Sequence, residues 1–114
     1  MMRKRKAPPK RRFNVYVIAL NKKVLKSKKF LEDNPDYKDG KPCVYVGMTA
    51  RAPEERFEQH KKGYKSGRFI KHHGEYLRRK LYEKYNPMTY EEAKRRERQL
   101  AEDLRRKGYA VHWN

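Results

Sequence analysis

The sequence predicts a small α+β domain in which a three-stranded, mainly antiparallel sheet is flanked by helices. Three features point there. Residues 13–20 and 44–46 are rich in valine, isoleucine and aromatic residues, which suit a pleated, buried backbone. The chain between these runs lacks a full crossover helix, so the two strands are expected to be antiparallel. Thr89, with Glu92 three residues on, forms a capping box that opens a long helix.

In chain order, residues 1–12 carry Arg3, Lys4, Arg5, Lys6, Lys10, Arg11 and Arg12 with no acid. They read as a basic disordered arm, because they hold too little apolar surface to offset chain entropy. A merely solubilising tail is the plain alternative. The domain itself is expected over residues 13–114. Its first strand places Tyr16 near the middle, and residues 21–42 form a lysine-rich insert. That insert has a short helix around 24–31 and turn signals at Asn34-Pro35 and Asp39-Gly40. After the second strand, Gly47 is read as a tight exit, and Pro53 with Glu54 and Glu55 opens a helix that stops near Gly63. Residues 64–73 form another helical piece, with Phe69 and Ile70 inward and Gly74 as a left-handed cap. The run 76–85 is expected as a third, partly exposed strand, with a helix as the competing reading. The last helix runs from Tyr90 to about Lys107, Gly108 ends it, and residues 109–113 return as a short extended segment over the core.

Composition narrows the function. The chain has 114 residues, 32 Lys and Arg against 14 Asp and Glu, and a formal net charge of +18. This length supports one modest core. Such a charge is most simply explained by a polyanionic partner, with nucleic acid first, an anionic membrane surface second and acidic proteins third. The longest apolar run, residues 15–20, is far too short to span a bilayer, so no membrane association is expected and the expected location is cytoplasmic and nucleoid-associated. Cys43 is the only cysteine, which excludes an internal disulfide and a cysteine-rich zinc site. Inside a hydrophobic strand, Cys43 reads as packing.

Two places break the expected pattern. Arg56 and His60 lie four residues apart and share a helix face beside the end of a strand that carries Tyr45. An ordinary surface arginine and histidine would also satisfy that spacing. On the last helix, Glu97 falls on the apolar stripe of Ala93, Leu100, Ala101 and Leu104, where a carboxylate must be paired or bind a metal. An internal ion pair with Arg56 or another arginine is the plain explanation. His72 and His73 diverge on a helix and His112 lies near the terminus, so no zinc-spaced histidine set is present.

The order Asn14-Val-Tyr16, then Tyr45-Val-Gly47, then Arg56 and His60, then Ala93-x-x-x-Glu97 resembles the GIY-YIG nuclease superfamily. The resemblance covers about residues 13–114. It implies a small stand-alone metal-dependent DNA endonuclease whose catalytic residues are Tyr16, Tyr45, Arg56, His60 and Glu97. Glu97 matches the ligand for one Mg²⁺ or Mn²⁺, His60 stands where members carry tyrosine or histidine, and Asn114 is a candidate for a terminal asparagine of the family. The first motif lacks its usual glycine, the insert lengthens the spacing between the tyrosines, and Met48 stands where members often have lysine. Arg3, Lys4, Arg5, Lys6, Arg11 and Arg12 of the arm, with Arg51, Lys61 and Lys62, are the expected phosphate contacts. The substrate is DNA, with branched or flapped forms or a targeting protein partner suggested by the lack of an added recognition domain. A non-catalytic nucleic-acid-binding module on the same scaffold is the alternative function, and oligomeric state stays open.

Overall fold

A computed structural model describes residues 10–64 and 68–113; the side chains of Arg68 and Phe69 lie outside that description, as do Arg3, Lys4, Arg5, Lys6 and Asn114. Strands β1 (Asn14–Leu20) and β2 (Cys43–Thr49) pair antiparallel along their whole length, with Asn14 opposite Thr49 and Leu20 opposite Cys43. Both are buried on both faces over most of their length, which explains their continuous apolar runs.

The sheet has four strands in the order β3-β1-β2-β4 and is mixed. This corrects the three-stranded, mainly antiparallel expectation. β3 (Gly74–Leu77) is antiparallel to β1, and β4 (Ala110–Trp113) is parallel to β2. The expected extended tail is thus a paired strand; four residues are too few to announce a partner, and the helices before it supply the crossover a parallel pair requires. The expected third strand also shifts and shortens. Arg78 still donates its amide to Val17, but the amides of Leu81 and Tyr82 turn back onto the carbonyls of Arg78 and Arg79, so residues 79–81 and 83–85 are single 3₁₀ turns. Gly74 opens β3 and is not a left-handed cap. Its lack of a side chain makes room, because a Cβ there would sit 2.7 Å from the Ile70 carbonyl oxygen.

Helix α2 (Pro53–Lys61) opens on its proline and α3 (Arg68–His73) begins just after residues 65–67, which lie outside the description. Helix α4 (Tyr90–Arg106) starts at the expected box: the Thr89 hydroxyl accepts from the Glu92 amide, and its inner stripe of Ala93, Leu100, Ala101 and Leu104 is buried. The insert is tied to the core rather than looped out, since a 3₁₀ turn at Lys22–Lys26 and α1 (Lys28–Glu32) bury Val24 and Phe30. No helix among the described residues is long and apolar enough to cross a membrane.

Two asparagine side chains close the sheet where strands run out. Val111 donates its amide to Asn34 Oδ1 at 2.8 Å, and Asn34 Nδ2 donates to the Val111 carbonyl at 3.1 Å. Arg105 adds bonds to the Asn34 oxygen and the Val111 carbonyl. On the far side, Asn86 exchanges the same two bonds with Val15, both at 2.8 Å. A primary amide has a donor and an acceptor spaced like those of a strand, so each asparagine stands in for one residue of a neighbouring strand. Asn34→Leu leaves buried backbone groups of β4 unpaired. It should lower unfolding free energy by about 2–4 kcal/mol in urea titrations. A loss under about 0.5 kcal/mol would show that water replaces the amide without penalty.

Candidate active site

Tyr16 lies directly opposite Gly47 in the β1–β2 ladder, and Tyr45 is two residues before Gly47, so all three share one face of the sheet. A Cβ at Gly47 would sit 2.6 Å from Tyr16 Oη, 2.7 Å from its Cζ and 2.8 Å from Tyr45 Cε1. Gly47 is therefore a space, not the expected exit turn; β2 runs through it to Thr49. The two tyrosine rings lie 6.0 Å apart between centroids, tilted at 45° to each other.

Helix α2 brings His60 and Arg56 to that face. Among the residues of α2, His60 alone is buried, at 1 % exposure, so the surface reading of this histidine is overturned. The cost of burying its ring is offset by a 2.8 Å contact between Tyr16 Oη and His60 Nε2. Burial, with Arg56 second, lowers the His60 pKa to about 4, so the imidazole is neutral at pH 7. A neutral ring with the proton on Nδ1 accepts the Tyr16 hydroxyl. Burial first, then Tyr45, pushes the Tyr16 phenol far above its ordinary value, and burial also raises Tyr45. Neither tyrosine is a phenolate at neutral pH.

Arg56 is half-buried, and its Nη1 donates to Gln59 Oε1 and to the Tyr64 carbonyl, each at 3.1 Å. The second acceptor is set by the helix end: Gly63, at φ 84°, donates to the His60 carbonyl, and the Tyr64 amide donates to the Gln59 carbonyl. These acceptors are neutral. They orient the guanidinium without cancelling its charge.

Glu97 comes from the other side. His112 pairs with Tyr45 and stacks near its ring at 5.6 Å, so by strand alternation Trp113 points to the opposite face. There the Trp113 indole donates to Glu97 Oε1 at 2.6 Å. The expected ion pair between Glu97 and Arg56 does not form. Burial raises the Glu97 pKa while the indole bond opposes that rise, and the carboxylate's charge reaches Tyr16 and Tyr45, raising both. Among the described residues, Glu97 Oε2 has no hydrogen-bond partner, and an open cleft of about 520 Å³ lined by Glu97, Trp113, Lys94 and Arg98 lies before it. No group of three or more His, Cys, Asp or Glu side chains that could hold a metal occurs among the described residues. One oriented carboxylate with a free oxygen still fits a hard ion that keeps most of its waters, as Mg²⁺ does.

The other expected residues lie around this centre. Arg11 bonds Glu92 at 3.3 Å, Arg12 stacks over Phe13, Lys61 stacks over Phe57, and Lys62 caps the end of α2. Arg51 pairs with Glu55 at 3.6 Å, and its carbonyl accepts from Asn14. Met48 packs against the core. Sequence reasoning missed Trp113, although an indole N–H and a carboxylate on an apolar stripe each needed a partner. It also missed Gln59, for which no local signal exists.

A family model described as the GIY-YIG catalytic domain matches residues 15–110. The chain belongs to the GIY-YIG family. GIY-YIG domains are nuclease domains, and the matched span holds Tyr16, Tyr45, Arg56, His60 and Glu97. No curated protein and no solved structure matches the chain. Within the GIY-YIG frame, Trp113 is the described partner of the helix glutamate, and it lies beyond the matched residues.

The buried histidine has a measurable signature. The unfolded chain takes up a proton at His60 near pH 6.5, whereas the folded state holds out to about pH 4, so stability falls as pH drops between those values. This accounts for about 2–3 kcal/mol of the acid sensitivity. Denaturant unfolding from pH 7 to pH 4 should therefore show a steeper fall for the native chain than for His60→Gln. Equal slopes would mean that His60 is not held neutral.

Proposed function

We propose that this GIY-YIG domain is a metal-dependent DNA endonuclease in which Tyr16 and His60 together take the proton of the attacking water. The buried 2.8 Å contact between Tyr16 Oη and His60 Nε2 supports that reading most strongly. A phenol held well above its usual pKa is a poor store of negative charge, so Tyr16 need not ionise in advance. As the Tyr16 oxygen accepts the water proton, its own hydrogen passes to His60 Nε2, and no phenolate accumulates. Tyr45 packs beside Tyr16 and helps to keep its phenol protonated.

Arg56 carries positive charge to the phosphate oxygens. An arriving phosphate also opposes the effect of Arg56 on His60, which raises the imidazole's proton affinity when it is needed. Glu97, oriented by Trp113, holds a divalent ion such as Mg²⁺ or Mn²⁺, which when bound supplies positive charge at the phosphate and leaving oxygen. The net charge of +18, including the arm at residues 1–12, holds the DNA backbone without reading its sequence. One such site makes one cut.

Supercoiled DNA should be nicked in Mg²⁺ and left intact with chelator. Tyr16→Phe and Glu97→Ala should each slow nicking by about 100-fold or more at unchanged helical content. Nicking that survives both chelator and Glu97→Ala would refute the mechanism. Salt-sensitive DNA binding without any nicking would instead identify a binding module on the GIY-YIG scaffold.

A further inference from the structure

A second binding feature lies at the other end of the sheet. Tyr76, on the edge strand β3, is 56 % exposed; Tyr64 and Tyr90 are exposed to a similar degree, but Tyr76 is the one that lines two clefts. It stands between two clefts. One, of about 230 Å³, has a floor of Ala19, Leu20 and Pro42 and a rim of Lys22, Arg78 and Glu75, whose carboxylate accepts from the Asn21 amide at 3.3 Å. The other, of about 290 Å³, is lined by Tyr76, Arg78, Arg79 and Lys80. Arg78 borders both.

Arg78 is half-buried and has no ion-pair partner among the described residues, whereas its neighbour Arg79 is paired with Glu54 at 3.3 Å. A partly buried cation that forms no ion pair of its own favours an anion from outside. Lys22 is held at the rim by neutral acceptors, the Lys41 carbonyl at 2.7 Å and the Tyr37 hydroxyl at 3.3 Å. The arrangement therefore combines an exposed aromatic face, an apolar floor and two cations against one carboxylate that is already bonded by Asn21. That is the chemistry of an unpaired nucleotide, whose base stacks and whose phosphate is neutralised. The smaller cleft lies below the range of pockets for drug-sized ligands, which suits a single base.

Position relates the clefts to the tyrosines. The Leu20–Cys43 pair beside the cleft is four residue steps from the Tyr16–Gly47 pair, about 13 Å along the strands. We propose that the Tyr76 cleft binds an unpaired base of the substrate strand, so that the domain selects DNA carrying a single-stranded segment next to the cut site. Its part in substrate choice rests on the endonuclease reading; the binding itself does not.

Anisotropy with labelled oligothymidylate, a blunt duplex and the same duplex with a single-stranded overhang, all in chelator, tests this on the full chain. Tyr76→Ala should weaken the overhang and oligothymidylate complexes about 10-fold and the blunt duplex less than about 2-fold, while Tyr76→Trp restores binding. Arg78→Gln should reduce the salt slope for the overhang by about one. Equal losses on blunt and overhang DNA, or no rescue by tryptophan, would overturn the proposal. A change of sedimentation coefficient in Tyr76→Ala would also overturn it, because β3 would then be an edge paired with a second copy. Binding is read without cleavage, so loss of nicking leaves this outcome interpretable by itself.

Discussion

A missing side chain at one position of β2 governs the site. Gly47 lies in an ordinary strand, and its role is spatial: the Tyr16 hydroxyl and the Tyr45 ring occupy the volume a methyl group would need. Tyr16 reaches His60 from there, and His60 is the residue through which α2 is buried against the sheet. The same contact thus docks a helix and is the path proposed for the proton. Arg56, one turn earlier on α2, is carried into place by that docking and steadied by the Gly63 helix end.

Burial sets the protonation states, and neighbouring charges adjust them. His60 is kept neutral and the tyrosines are kept protonated chiefly because water is excluded, with Arg56 pushing His60 further down. A buried imidazole that were charged would lose its role as acceptor and destabilise the fold together. Glu97 approaches from α4, with one oxygen fixed by Trp113 and the other open. Arg56 and Glu97 each have other partners and do not neutralise one another as an ion pair. In the proposed reaction a phosphate would meet both the Arg56 cation and a carboxylate able to hold a metal ion.

The parts legible in the sequence are those set by local chemistry. The β-branched runs of β1 and β2, the proline and glutamates of α2, and the Thr89–Glu92 box each act within a few residues. The five proposed site residues were legible because their order matches a family, and the structure brings Tyr16, Tyr45 and His60 into direct contact. What was not legible depends on distant partners. β4 is a strand only because β2 lies beside it, and Asn34 and Asn86 act across 77 and 71 residues of sequence. The apolar residues after β3 suggested extension, yet Tyr82 is buried by a turn. Gly47 was noticed for backbone freedom, whereas its use is the close approach of two rings. Glu97 was recognised as out of place on its helix, but its bond to Trp113 required the return of β4.

Gly47→Ala tests the central claim most directly, because it adds one methyl group where the two tyrosines meet and replaces no proposed catalytic residue. The single-turnover nicking rate on saturating DNA should fall by about 100-fold, as a displacement near 1 Å can cause, while DNA binding stays close to that of the unaltered chain and unfolding free energy falls by about 1–3 kcal/mol, leaving the chain folded. An alanine variant that nicks at the full rate would contradict the account, since the reaction would then not depend on where Tyr16 and Tyr45 are held.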